Sequence, residues 1–184
     1  MKNRKYLVIA ALLAIALMAT AIAPSNVQTG GSGQRLSYHS LVRVYVNGKL
    51  HDETANIVTN LGKEGIMNRV FFAANQSQVR YIGVGGNTSA MAATDTSLGG
   101  DFTGIYNVAY GMNRSMATLG WSGAGTQNIT LTYTFTALAA CNVNSTGLYN
   151  HSTSNTGFFA EAPFTNAALQ SSDTLNVTWS VWVA

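Results

Sequence analysis

Seven carboxylates, three histidines and one cysteine are the side chains in this 184-residue chain with the means to bind a metal or move a proton. Their spacing assigns them neither task. His39, His51 and His151 stand at no metal-binding interval from one another or from Cys141. A hydrolase nucleophile needs a strand–turn–helix elbow. Gly120-Trp121-Ser122-Gly123-Ala124 falls one glycine short of G-x-S-x-G, and no helical pattern follows it. Gly83-Val84-Gly85-Gly86 likewise opens no helix, so it lacks the helix N-terminal amides with which a glycine-rich loop holds phosphate. Asp95 and Asp101 lie in a Gly/Thr/Ser-rich loop and are the candidate ligands of a structural Ca²⁺, an ion that takes several oxygen donors. No other cofactor is expected. With no nucleophile–base pair in view, the chain reads as a protein without catalytic residues.

Asparagine offers a different chemistry. Seven N-x-S/T sequons begin at Asn75, Asn87, Asn113, Asn128, Asn144, Asn150 and Asn176. A sequon is used only on a secreted protein and on an accessible loop. Asn87, Asn144 and Asn150 fall in expected loops and are the candidate N-glycosylation sites; Asn176 falls in an expected strand.

Export is written at the N-terminus. Met1-Lys2-Asn3-Arg4-Lys5 is basic, and the chain is then apolar from Tyr6 to Ala23. A basic start, an apolar stretch and small residues at the cut define a secretory signal peptide. Cleavage after Ala21 is favoured over cleavage after Ala23, which would leave Pro24 beside the scissile bond. An uncleaved membrane anchor is the competing reading. The division expected is therefore a signal peptide over residues 1–21, an arm over 22–35 and a β domain over 36–184. Beyond the signal, seven Lys and Arg face seven Asp and Glu, so the mature chain is neutral. It carries no basic surface for nucleic acid, and its only link to a membrane is the signal segment. One cysteine permits no disulfide within the chain.

The elements that would position these residues are mostly strands. Asn47-Gly48 between two β-rich runs marks a hairpin, since both residues tolerate the positive φ of a type I′ turn. Thr59 or Asn60 can cap a helix running to about Phe72, with Ile66, Met67, Val70 and Phe71 toward the sheet. Ile129, Leu131, Tyr133, Phe135 and Ala137 alternate with Thr130, Thr132, Thr134 and Thr136. Leu175, Val177, Trp179, Val181 and Val183 alternate in the same way with Asn176, Thr178, Ser180 and Trp182. Such alternation describes strands buried on one face. About eight strands and one short helix predict an all-β antiparallel jelly roll or sandwich.

Charge is nearly absent from the second half. From Ser115 to Ala184 the only formal charges are Glu161 and Asp173. Sheet edges without charges recruit further strands. The polar, Gly-rich arm, with Asn26, Val27, Gln28 and Thr29 at its centre, is the candidate donor strand. Strands 129–137 and 175–183, bearing Ile129, Leu131, Tyr133, Phe135, Leu175, Val177, Trp179 and Val181, are the candidate acceptors.

Two resemblances bear on function. Asn56-Ile57-Val58-Thr59-Asn60-Leu61-Gly62-Lys63, Tyr81-Ile82-Gly83-Val84-Gly85-Gly86-Asn87-Thr88, Ala92-Ala93-Thr94-Asp95-Thr96-Ser97-Leu98-Gly99 and Ser172-Asp173-Thr174-Leu175-Asn176-Val177-Thr178-Trp179 resemble segments of phage tail and tail-fibre-like structural proteins. The signal peptide departs from that pattern. A secreted, uncharged, Thr/Asn-rich β domain with an arm is more similar to archaeal bundling-pilus subunits and the related TasA and cannula proteins. That resemblance implies a homopolymer built by donor-strand complementation, at the cell surface or in a biofilm matrix. The alternatives are an adhesin or glycan-binding module, with Trp121 and Trp182 as sugar platforms, and a virion or tail component.

Overall fold

A computed structural model describes residues 38–71, 77–86, 90–100, 109–121, 128–155 and 157–183, all within the unit Leu36–Ala184. The strands are β1 (Tyr38–Val46), β2 (Lys49–Ala55), β3 (Ile57–Val58), β4 (Tyr81–Gly85), β5 (Ser115–Met116), β6 (Thr118–Trp121), β7 (Asn128–Thr136), β8 (Cys141–Tyr149), β9 (Phe158–Leu169) and β10 (Thr174–Val183), with one helix, α1 (Asn60–Phe71). They form two five-stranded antiparallel sheets, ordered β2-β1-β10-β7-β6 and β3-β9-β8-β4-β5. The all-β sandwich expected from the alternation is the fold observed, with ten strands where about eight were expected.

The sheets meet over a core drawn from both. Val42, Val44, Leu131, Phe135, Leu175, Val177 and Trp179 face Ile82, Val84, Val143, Leu148, Ala160 and Ala162. Outside the first sheet, Thr132 Oγ1 and Thr178 Oγ1 lie 3.1 Å apart and Asn176 Nδ2 donates to Thr134 Oγ1 at 2.8 Å. The two alternations thus read correctly as core side and polar side. Trp179 is fully buried and its indole N–H donates across the core to Thr146 Oγ1 at 3.4 Å.

Turn chemistry sets the corners. Asn47 and Gly48 have φ of 49° and 78°, as the type I′ hairpin requires. Thr59 caps α1: its Oγ1 accepts the Gly62 amide at 3.0 Å. Gly62 presses the helix onto β9, where a Cβ would stand 2.1 Å from the Phe159 carbonyl oxygen. The docking face is therefore the first turn. Ile66 and Met67, expected toward the sheet, are 37% and 51% exposed.

Each lateral edge of the sandwich is one run of chain that changes sheet. At one side β2 passes into β3 across Asn56; at the other β5 passes into β6 across Ala117. The change of sheet at Ala117 occupies a single residue.

Candidate functional site

Main-chain recruitment requires an open edge, and strand order decides where one exists. β10 is flanked along its length by β1 and β7; β7 is flanked by β10 along its length and by β6 over residues 129–132. The acceptor assignment is corrected on that ground for β10 and for residues 129–132 of β7. Ile129, Leu131, Tyr133 and Phe135 belong to β7 and Leu175, Val177, Trp179 and Val181 to β10; β10 is interior, and β7 is interior over residues 129–132. Leu131, Phe135, Leu175, Val177 and Trp179 are moreover buried in the core of their own sandwich. Strand order is set by pairing between distant segments, β1 with β10 above all, which the alternation of one strand does not encode.

The edges are β2, β3, β5 and β6. β2 is guarded: it carries Lys49, Asp52 and Glu53, and Glu53 pairs with Arg43 at 2.6 Å. Its side chains also close the neighbouring strand. Asp52 Oδ2 accepts the Thr165 amide at 2.5 Å, and His51 Nε2 donates to the Thr165 carbonyl at 2.8 Å. β3 and β5 are two residues each. β6 is longer than β3 and β5 and, unlike β2, uncharged: Thr118, Leu119, Gly120 and Trp121 are all exposed. Leu119 is 41% and Trp121 67% exposed.

β6 borders an apolar groove of about 640 Å³ at one end of the sandwich. One wall comes from the first sheet, with Tyr38, Leu119, Trp121, Ile129 and Val181. Leu148, Phe158 and Phe159 of the second sheet and Leu61 and Ile66 of α1 make the other. The Tyr38 ring meets Phe159 edge-on at 5.6 Å, and burial pushes its phenol up to about 12, opposed in part by Ser40. Arg80 also lines the groove; its Nε is buried with no acceptor among the described residues.

The other sequence-predicted residues are distributed as follows. The donor arm, Asn26, Val27, Gln28 and Thr29, lies outside the described residues, as do Asn87 and Asp101. Asp95 lies under no such limit and neighbours Glu161 of β9. Asn144 is not in a loop but half-buried inside β8, and the Thr146 hydroxyl of its sequon is buried on the Gly83 carbonyl at 2.9 Å. Asn150 is half-buried, its side chain laid against Gly157. Asn113, which precedes β5, is exposed and is the better acceptor. Trp182 is half-buried and stacks on His39 at 5.6 Å. His151 Nδ1 accepts the Thr153 and Ser154 amides at 3.2 Å each. Cys141 begins β8 half-buried, and burial pushes its thiol up.

Arg114 is the functional-looking residue that sequence reasoning passed over. Its guanidinium lies 3.3 Å from the Tyr149 ring centroid and donates to the carbonyls of His151 and Ser154 and to Asn155 Oδ1. It anchors the β8–β9 turn beneath the groove rather than offering a charge to solvent. Among the described residues no three His, Cys, Asp or Glu side chains gather as a metal site, and no helix is long and apolar enough to cross a membrane.

Family models, curated proteins and solved structures were each compared with the chain, and none matches. Neither the tail-fibre nor the bundling-pilus resemblance gains support from them. The class defined by the fold is an antiparallel β-sandwich.

Proposed function

We propose that this chain is a secreted structural subunit of an extracellular filament, in which a strand from one copy completes the sandwich of the next. The observation that carries this reading is the meeting of two features at one place. The uncharged edge β6 borders an apolar groove, and Tyr38, where the segment bearing the arm joins the β domain, lines the same groove. An incoming strand would bond its main chain to β6 and lay alternate apolar side chains into the groove, the two components of β-augmentation. The acceptor in this reading is β6 rather than β10, whose two sides are already paired. The donor segment and the groove are different parts of the chain, so a one-way exchange between copies is head-to-tail, and if it does not close into a ring it propagates.

The test is the processed protein lacking residues 24–34, compared with the intact processed protein by negative-stain microscopy. Filaments from the intact chain and folded or aggregating monomers from the truncation support the reading. Ordinary filaments from the truncation reject the arm as donor. Fibres seen only on virus particles would favour a virion or tail component.

Trp121 supports a second reading. At 67% exposure beside the groove it has the form of a sugar-stacking platform. A glycan-binding module would stay monomeric on size exclusion and lose its sugar affinity in Trp121→Ala.

A further inference from the structure

Sheet two carries a buried acid on its outer face. Glu161 pairs with Ile57 of β3 and Gly147 of β8, between Ala160 and Ala162, which face the core. Its side chain therefore points away from the core, yet it is 0% exposed. Asp95 lies beside it and holds its own turn closed, Oδ2 accepting the Ala92 amide at 2.9 Å. That amide also approaches Glu161, but its hydrogen bond is to Asp95. Neither carboxylate oxygen of Glu161 meets a hydrogen-bond donor among the described residues. One step along the same face of β8, the Ser145 hydroxyl is also fully buried without a partner.

Sealing an ionised carboxylate from water without donors is costly, and a second carboxylate beside it adds repulsion. Ordinary packing gives no reason for that arrangement in a strand whose neighbours are alanines. A cation removes both penalties at once. The available donors are all oxygen, with no histidine or cysteine among them, which selects a hard ion over zinc.

We propose that Glu161 and Asp95 bind a divalent cation of the Ca²⁺ class, which pins the 90–100 segment to β9. Asp95 keeps the role its loop suggested, while Glu161, from a strand 66 residues further on, supplies the second carboxylate. The site is independent of the groove and of the filament reading. The ion would complete its shell with main-chain oxygens and water, as Ca²⁺ sites commonly do.

The full processed chain, stripped with EDTA, provides the test. Adding Ca²⁺ to a hundredfold above its Kd should raise Tm by about 5–10 °C. Tb³⁺ in place of Ca²⁺ should show luminescence sensitised by nearby tyrosines, at one ion per chain, and Ca²⁺ should quench it by displacement. Glu161→Gln should abolish both effects while leaving the circular dichroism unchanged. If that variant fails to fold, the Tb³⁺ stoichiometry and Ca²⁺ competition on the wild-type chain still decide. No Tm shift together with no sensitised emission at millimolar ion overturns the proposal and leaves a proton as the neutralising partner. A Ca²⁺ shift that survives Glu161→Gln overturns it equally.

Discussion

Asn47 Nδ2 donates to Asp173 Oδ1 at 2.9 Å, joining two turns 126 residues apart. The contact is reciprocal, because Asn47 Oδ1 accepts the Thr174 amide at 2.9 Å. Asp173 meanwhile accepts the Gln170 amide at 2.7 Å. The β1–β2 hairpin is thus tied to the corner where β9 leaves one sheet and β10 enters the other. The residue chosen for positive φ also fixes the register of the first sheet at that end.

Asn47 therefore has two duties that substitutions separate. Asn47→Gly keeps the left-handed backbone and loses the side-chain bonds, at a cost of about 1 kcal/mol. Asn47→Ala loses the bonds and strains the turn as well, and should cost about 2 kcal/mol. Urea unfolding checks the order; equal losses would mean that the positive φ adds no strain beyond the loss of the side-chain bonds.

Arg114 should be among the least replaceable residues. Its neighbours are two carbonyls, an amide oxygen and the Tyr149 ring, so the flat guanidinium is matched on its edge and its face. Arg114→Ala leaves those oxygens without their donor and should destabilise by about 2–4 kcal/mol. Arg114→Lys keeps the charge but not the fork and should recover less than half of that. Proteolysis should move to the 150–157 turn in both variants.

How much of this was legible differs by element. The strands β7 and β10 show one face to water, so their period of two is plain in the sequence. β8 and the first half of β9 are covered on both faces, since Leu98, Met91 and α1 lie over the outer side, and their alternation is lost. The cap at Thr59 was readable from its residue type, but the docking face of α1 was not. It depends on a missing side chain at Gly62 rather than on an apolar stripe. The site was least legible. β6 is an edge only because β1 crosses to β10, and no local pattern records that pairing. Glu161 did leave a signal: it is one of two charges after Ser115, set between alanines in an apolar strand.

Acid and base should weaken the metal-free protein for different reasons. Asp52 and Asp173 are held below the usual carboxylate range, chiefly by the amides of Thr165 and Gln170. Their stabilisation is present above that range and lost as pH falls through it. Glu161 is shifted the other way, from 4.5 to about 7, by burial and then by the Asp95 carboxylate. Its folded form favours the proton, so stability is full below the ordinary value and declines as pH rises through about 7. Allowing for solvent screening, the decline should be about 2 kcal/mol. Chemical unfolding in EDTA between pH 5 and pH 8 measures it, and Glu161→Gln should flatten this limb alone. A Glu161→Gln profile as steep as wild type would assign the titration elsewhere.

β6 gives the sharpest test of assembly, because its side chains are exposed and it carries no charge. Trp121→Lys and Leu119→Lys place a charge on an edge that has none, the device by which sheets refuse further strands. Both positions face solvent in the single subunit, so stability should change by no more than about 0.5 kcal/mol. Polymerisation should nevertheless fail, read as loss of sedimentable filaments at a concentration where wild type assembles. Leu131→Lys would also abolish filaments, but by unfolding the core, since Leu131 is 4% exposed. The informative comparison is with Leu50→Lys on the guarded edge β2, where Leu50 is 58% exposed. It should leave assembly intact. Filaments that tolerate Lys at 119 and 121 but not at 50 would move the acceptor edge to the opposite side of the sandwich.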